Sequence, residues 1–393
     1  MRAIPTKHER NSATVEDRAL ARRPSARPAL AARPLAWSTF AARPLSRRAF
    51  AGFALALAAT ATAGCAASWT PTTVVPAAAL QWPHLPDAAR VSYTHALTGL
   101  TRDTSVGTVM EAVVFGRDGS GDGFQLPVSF ATAADGRVAV ADSGCGCVHV
   151  FLPATSKYLR LVGSGSEAMV SPVGVAFDDQ SRLYVSDSAG ALFAFDAEGK
   201  PRFVSRKAGE FVLKRPTGLA WSPERSLLYV VDTKAHAVRA LDTDGGFRFS
   251  FGGRGAGEGQ LNFPTHIAHA PSGELFVTDA LNFRIAIFDG DGRPRGSFGR
   301  HGDGSGDFAM PKGIAVDADG VIYVVDAIFD NVQLFNRRGE LLLTVGNRGV
   351  GFGEFWLPSG AFLSQRGDLY VCDTYNRRVQ VFRVGNGYAN ATT

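Results

Sequence analysis

From residue 90 onward, short apolar runs alternate with turns containing Gly or Asp, and this arrangement recurs six times. Each unit has a Pro leading into a short apolar run, a turn, a second run ending in Asp, and a third run ending in an aromatic residue or Leu. The leading prolines are Pro127, Pro172, Pro216, Pro264, Pro311 and Pro358. The Asp residues are Asp142, Asp187, Asp232, Asp279, Asp326 and Asp373, separated by 45, 45, 47, 47 and 47 residues. In the fifth unit, residues 313–316, 321–325, 332–335 and 341–345 are β-rich runs, the branched and aromatic composition that suits strands. Asp135-Gly136 and Asp319-Gly320 mark tight antiparallel hairpins between neighbouring runs.

The inner runs are apolar at nearly every position instead of alternating, so both faces of each small sheet must be covered. Four strands in a repeat near 45 residues predict blades that cover one another around a ring, an all-β, single six-bladed β-propeller over residues 90–388 with a short tail at 389–393. Five units have a fourth strand, whereas the last ends soon after Phe382. The isolated run 90–97 is therefore expected to pair with residues 379–383 and close the ring, removing an open sheet edge. Apolar residues at 106, 109, 110, 113 and 114 predict one short helix over 106–115.

The fourth unit contains Phe263-Pro264-Thr265-His266-Ile267-Ala268, Leu275-Phe276-Val277-Thr278-Asp279 and Asn282-Phe283-Arg284. The last contains Leu369-Tyr370-Val371-Cys372-Asp373, Asn376 and Arg378. These segments resemble the NHL repeat family. Copies one to three depart from it, with Cys145-Gly146-Cys147 standing where the first unit should have Asn-x-Arg. The layout is similar to bacterial exported six-bladed propeller lipoproteins. Enzymes on related propellers, amidating lyases and lactonases among them, place His or carboxylate metal ligands around a central channel.

Charge divides the chain sharply. The formal net charge is +5 and the pI about 9.1, but residues 1–48 carry eleven Lys and Arg against Glu9, Glu16 and Asp17. The remaining 345 residues hold 30 basic and 33 acidic groups, a net of −3, so the body lacks the basic excess that nucleic-acid binding needs. The Arg-Pro-Ala-rich arm 1–48 has no apolar periodicity and is expected to be disordered. It ends at Arg47-Arg48, and residues 49–64 form a charge-free apolar stretch, an arrangement resembling a twin-arginine export signal. Thr62-Ala63-Gly64-Cys65 resembles a lipobox in which Cys65 takes the lipid, although Thr62 stands where Leu is usual. Ala61-Thr62-Ala63 also fits ordinary signal cleavage, which would leave a soluble periplasmic protein. Residues 65–89 read as a Pro/Ala-rich tether. The expectation is an exported protein, lipid-anchored on the periplasmic side, whose partner is an extracytoplasmic protein or small ligand.

The repeated Asp residues admit two readings: a carboxylate ring for cations or a basic partner, or internal acceptors for their own loops, with Arg284 and Arg378 adding charge-assisted bonds. Recurrence in every unit favours the second. Cys145, Cys147 and His149 offer soft-metal donors without a second Cys or His pair to complete a zinc site. Cys372 lies in the last unit, so a disulfide to Cys145 or Cys147, a Cys145–Cys147 pair and free thiols all stay open. Asp118, Ser120, Asp122 and Gly123 imitate half a calcium loop but have Ser129 at the twelfth position, and Asp303, Ser305 and Asp307 have Phe308 at the sixth. No cofactor is expected; calcium and zinc are the ions these donors would suit. His266 stands where other units have Gly or Ser, which makes it the candidate channel-facing residue. No catalytic constellation is resolved in the sequence. The reading is a binding scaffold, with a metal-dependent lyase or hydrolase in the channel as the alternative.

Overall fold

The computed structural model describes residues 68–102 and 122–385. The basic arm, Arg47, Arg48, the lipid-accepting Cys65, the helix expected over 106–115 and the Asp118 half-loop lie outside the described residues, apart from Asp122 and Gly123. The described residues form strands and short 3-10 turns, with no α-helix and no helix long and apolar enough to cross a membrane.

Units one to five each fold into a four-stranded antiparallel blade in chain order. Blade one consists of Pro127–Thr132, Val138–Asp142, Cys147–Leu152 and Lys157–Leu161. The inner strands of blades two to five are Pro172–Phe177, Pro216–Ser222, Pro264–His269 and Pro311–Val316. The second strands read almost uniformly buried, as in Ile322–Asp326, because a neighbouring blade covers each face. Fourth strands are more exposed, and Phe247–Gly252 alternates inward and outward.

Six equal four-stranded blades were expected, and here the structure differs. The last unit belongs to a seven-stranded sheet in the order Trp69–Val74, Val91–Arg102, Arg378–Val384, Asp368–Asp373, Ala361–Leu363, with Gln81–Trp82 and Asp122–Gly123 also on Val91–Arg102. Val91 pairs with Val384, Tyr93 with Phe382 and Leu97 with Val379, with a bulge between Tyr93 and His95. The expected chain-end pairing is therefore present. The tether reading of 65–89 fails for residues 69–82, because Trp69–Val74 runs antiparallel to residues 96–102. The Trp69 amide also donates to the Ser156 carbonyl at 2.8 Å. A Pro- and Thr-rich strand at an outer edge buries little, so its composition reads as linker.

A hydrogen bond closes each junction of the ring. The Val175 amide donates to Ser129 Oγ (3.3 Å), the Ser186 hydroxyl to the Thr217 carbonyl, and Thr233 Oγ1 to the Pro264 carbonyl (2.7 Å). Thr278 Oγ1 donates to the Lys312 carbonyl (2.7 Å), the Gly313 amide to the Ser359 carbonyl (2.8 Å), and Thr374 Oγ1 to the Pro127 carbonyl (2.9 Å). The inner strands thus run side by side around a central channel. At Gly313 an added Cβ would lie 2.4 Å from the Ala361 amide, and at Gly360 2.5 Å from the Val128 carbonyl. Only glycine permits strands to approach so closely.

Candidate functional site: the central channel and the CGC loop

The repeated Asp residues end the second strand of each unit and are fully buried. Each reaches back to the backbone just before its own leading Pro. Asp142 accepts from the Gln125 and Leu126 amides, Asp187 from Val170 and Ser171, and Asp232 from Lys214 and Arg215. Asp326 accepts from Ala309, Met310, Ile328 and Phe329. In units carrying Asn-x-Arg the side chains join in. Asp279 takes Asn282 Nδ2 at 2.7 Å and Arg284 Nε at 2.8 Å, and Asp373 takes Asn376 at 2.9 Å and Arg378 at 2.7 Å. These lone pairs are spent inside the blades, so the carboxylate-ring reading gives way to that of internal acceptors.

In units four and six the second amide of this pair looks elsewhere. The Phe263 amide donates to His236 Nδ1 at 3.1 Å and the Leu357 amide to Asp330 Oδ1 at 2.6 Å, in each case crossing to the preceding blade. His236 is accordingly part of a blade junction. The Gly-rich connections are also self-closed. Gln260 Oε1 accepts from the Gly257 amide, Asp307 Oδ2 from Gly304, and Glu354 Oε2 from Gly351. Arg300 Nε holds the other Asp307 oxygen at 2.6 Å. Of the calcium-loop look-alikes Asp303, Ser305 and Asp307, the last is therefore already engaged.

The channel contains a cavity of about 330 Å³. Its wall is mixed, with Phe130, Phe177, Trp221, Ile267 and Phe362 beside Ser129, Thr132, Asp178, Asp179 and Gln365 among its lining residues. His266 is among the lining residues too. Burial, aided by the Lys312 ammonium, pushes the His266 pKa from its ordinary 6.5 down to about 3. The ring is therefore neutral, and its Nδ1 is buried without a hydrogen-bond partner. Burial also lowers the pKa of Lys312. The cavity shares Pro223, His269, Val316, Leu363 and Gln365 with a wider mouth of about 990 Å³, bordered by Glu224, Asp317, Asp319, Arg366 and Arg383. Most of these charges are engaged. His269 Nε2 lies 2.6 Å from Glu224, and Arg383 lies 2.8 Å from Asp368. Asp317 accepts from the Val321 amide and Tyr323 hydroxyl, while burial holds its pKa above the usual carboxylate range. Sequence reading missed this mouth, because its residues come from hairpin turns of several units whose lengths differ.

A second polar cluster lies on blade one. Cys145 and Cys147 are joined as a disulfide, with Cα atoms 5.3 Å apart, and this excludes a pairing of either with Cys372. Cys372 is free and fully buried among Phe124, Phe130, Val140 and Val379, and burial raises its pKa strongly. His149 Nε2 lies 3.8 Å from Cys145 Sγ, 3.6 Å from Cys147 Sγ and 3.5 Å from Asp142 Oδ2. Burial works to raise the Asp142 pKa, but the His149 contact and the Gln125 and Leu126 amides bring it below the usual carboxylate range. Among the described residues, Cys145, Cys147 and His149 are the one cluster of three soft or carboxylate donors. It is built from different residues than those lining the channel.

Fold and channel define a β-propeller assembled from repeated antiparallel blades. Within it, residues 355–382 match the NHL repeat family. No curated protein matches the chain significantly. Among solved structures, a streptogramin B lyase aligns at a TM-score of 0.50 with 10% identity, covering 67% of this chain and 94% of that one. A gluconolactonase from Xanthomonas campestris aligns at a TM-score of 0.51 with 17% identity, covering 67% of this chain and 88% of the other. At these identities the likeness is one of fold.

Proposed function

We propose that this protein is an extracytoplasmic, membrane-tethered binding scaffold whose central channel takes a small apolar or aromatic ligand. In this reading the seven-stranded sheet counts as the sixth blade. The observation that carries it is the neutral His266 in the wall of a cavity where aromatic and aliphatic side chains stand beside a few polar ones, Asp178, Asp179 and Gln365 among them, and which widens into a polar mouth. Small-molecule sites pair hydrophobic and aromatic wall with a small number of placed polar groups. Burying the ligand supplies the affinity, and the polar groups at wall and rim set its orientation. The alternative of a metal-dependent lyase or hydrolase needs further donors beside His266, and the nearby His269 is already engaged by Glu224.

Export rests on Arg47-Arg48 and the apolar stretch 49–64, and anchorage on Cys65.

Binding is tested with 8-anilinonaphthalene-1-sulfonate as an aromatic probe, comparing the native chain with Ala268→Trp inside the channel and Ala134→Trp at its rim. Saturable one-to-one binding lost in the filled variants is the expected result. Equal binding by all three proteins would refute a channel site. Tethering is tested separately by fractionating cells that express Cys65→Ser, which is expected to move the protein from the membrane to the soluble periplasmic fraction.

A further inference from the structure

We propose that the Cys145-Gly146-Cys147 loop is a thiol–disulfide exchange site that accepts electrons from cysteine thiols, a role separate from ligand binding in the channel. Four features of the cluster point to it. The disulfide spans a sequence separation of only 2, so it constrains the unfolded chain little and contributes little as a staple. The loop is already pinned, because Asp142 Oδ1 accepts from the Gly144 amide at 2.9 Å. The two sulfurs are inequivalent, Cys145 being partly exposed and Cys147 fully buried. Finally, the buried sulfur is the one provided with a cation, since Arg160 Nε lies 3.4 Å from Cys147 Sγ.

His149 is oriented for proton transfer at the same place. The Tyr158 hydroxyl donates to Asp122 Oδ2 at 2.6 Å, so it accepts from His149 Nδ1–H at 2.7 Å. With Nδ1 so engaged, Nε2 faces both sulfurs within 4 Å and Asp142 Oδ2, the position from which a proton can pass between them. Asp142 supplies a carboxylate 3.5 Å away to balance the charge. His149 also lines a cleft of about 140 Å³ between blade one and the closing sheet.

The exchange runs in two steps. An external thiolate attacks Cys145 Sγ and forms a mixed disulfide; the Cys145–Cys147 bond breaks, and its electron pair leaves on Cys147 Sγ, where Arg160 stabilises the thiolate. A second external thiolate then attacks the outer sulfur of the mixed disulfide, releasing an external disulfide and the Cys145 thiolate. Two thiols are oxidised, the protein disulfide gains two electrons, and the two protons released by the thiols end on Cys145 and Cys147, one passing through His149.

The test equilibrates the purified full chain in graded mixtures of reduced and oxidised glutathione, traps thiols with iodoacetamide, and reads the 145–147 peptide by mass spectrometry. A parallel arm uses a cysteine-containing peptide, and the faster arm distinguishes a small-molecule from a protein thiol as the donor. The pair is expected to open and close reversibly with circular dichroism unchanged, while buried Cys372 stays unalkylated. Arg160→Gln is expected to slow reduction roughly tenfold, the scale of losing a hydrogen bond to a charged leaving group, with Arg160→Lys recovering part of the rate. Arg160 is 44% exposed, so its loss should leave the fold intact. A disulfide that resists reduction until the protein unfolds would overturn the proposal. So would Arg160→Gln kinetics equal to the native, or a reduced loop that binds one zinc and so escapes alkylation.

Discussion

At Asp326 a single buried carboxylate serves four backbone amides, two from the segment before Pro311 and two from the turn that follows the strand. Replacing it by Ala orphans these donors at once, and a buried unsatisfied group costs about 1–3 kcal/mol each. Asp326→Ala should therefore lose at least about 3 kcal/mol in urea denaturation, and Asp326→Asn, which keeps one acceptor oxygen, distinctly less. A loss below about 1 kcal/mol for the Ala variant would show that the carboxylate is not what pins the loop. His266 carries a different consequence. Its folded pKa of about 3 lies below the ordinary 6.5 of the unfolded chain, so between those values the unfolded state binds the extra proton. The contribution of neutral His266 is complete above pH 6.5 and declines as pH falls toward 3. His266→Gln should flatten stability against pH in that window; an unchanged profile would mean the imidazole is solvated in the channel.

Among the elements, the inner strands decide the ring, and at four of them a glycine (Gly174, Gly218, Gly313 and Gly360) allows a close approach to the next. Gly360→Ala would place a Cβ 2.5 Å from the Val128 carbonyl, at the junction between the closing sheet and blade one. Overpacking against backbone costs about 1–3 kcal/mol, and a lowered melting temperature in calorimetry checks it. These strands were legible in the sequence because their period, leading Pro and terminal Asp recur. The pairing of residues 91–97 with the last strand followed from a missing fourth strand. Trp69–Val74 was not legible, because an outer strand with partial burial has no apolar pattern to display. His266 stood out because its side chain occupies a position that is Gly or Ser elsewhere. The Cys145–Cys147 bond was one of several open pairings, since spacing alone cannot choose among three thiols on adjoining sheets. The channel mouth was hidden for a related reason, its residues being joined by the ring and not by the chain.

Across the whole molecule, the seven-stranded sheet packs between blade five and blade one and joins residues near both ends of the described chain. That closure leaves the channel as the space around which the inner strands of all the units are arranged. The basic excess lies in the first 48 residues, and residues 49–393 carry a net charge of −3. The central claim, that the channel is a binding site, is tested most directly at Trp221, which lines the cavity and whose indole N–H donates to Asp179 at 3.2 Å. The measurement is the NMR signal of that indole during titration with a set of small aromatic and aliphatic molecules. Saturable shifts of the Trp221 resonance, with members of the set competing for one site and the shifts abolished by Ala268→Trp, are the predicted result. A Trp221 signal that no member moves, or shifts that persist unchanged in Ala268→Trp, would contradict the account.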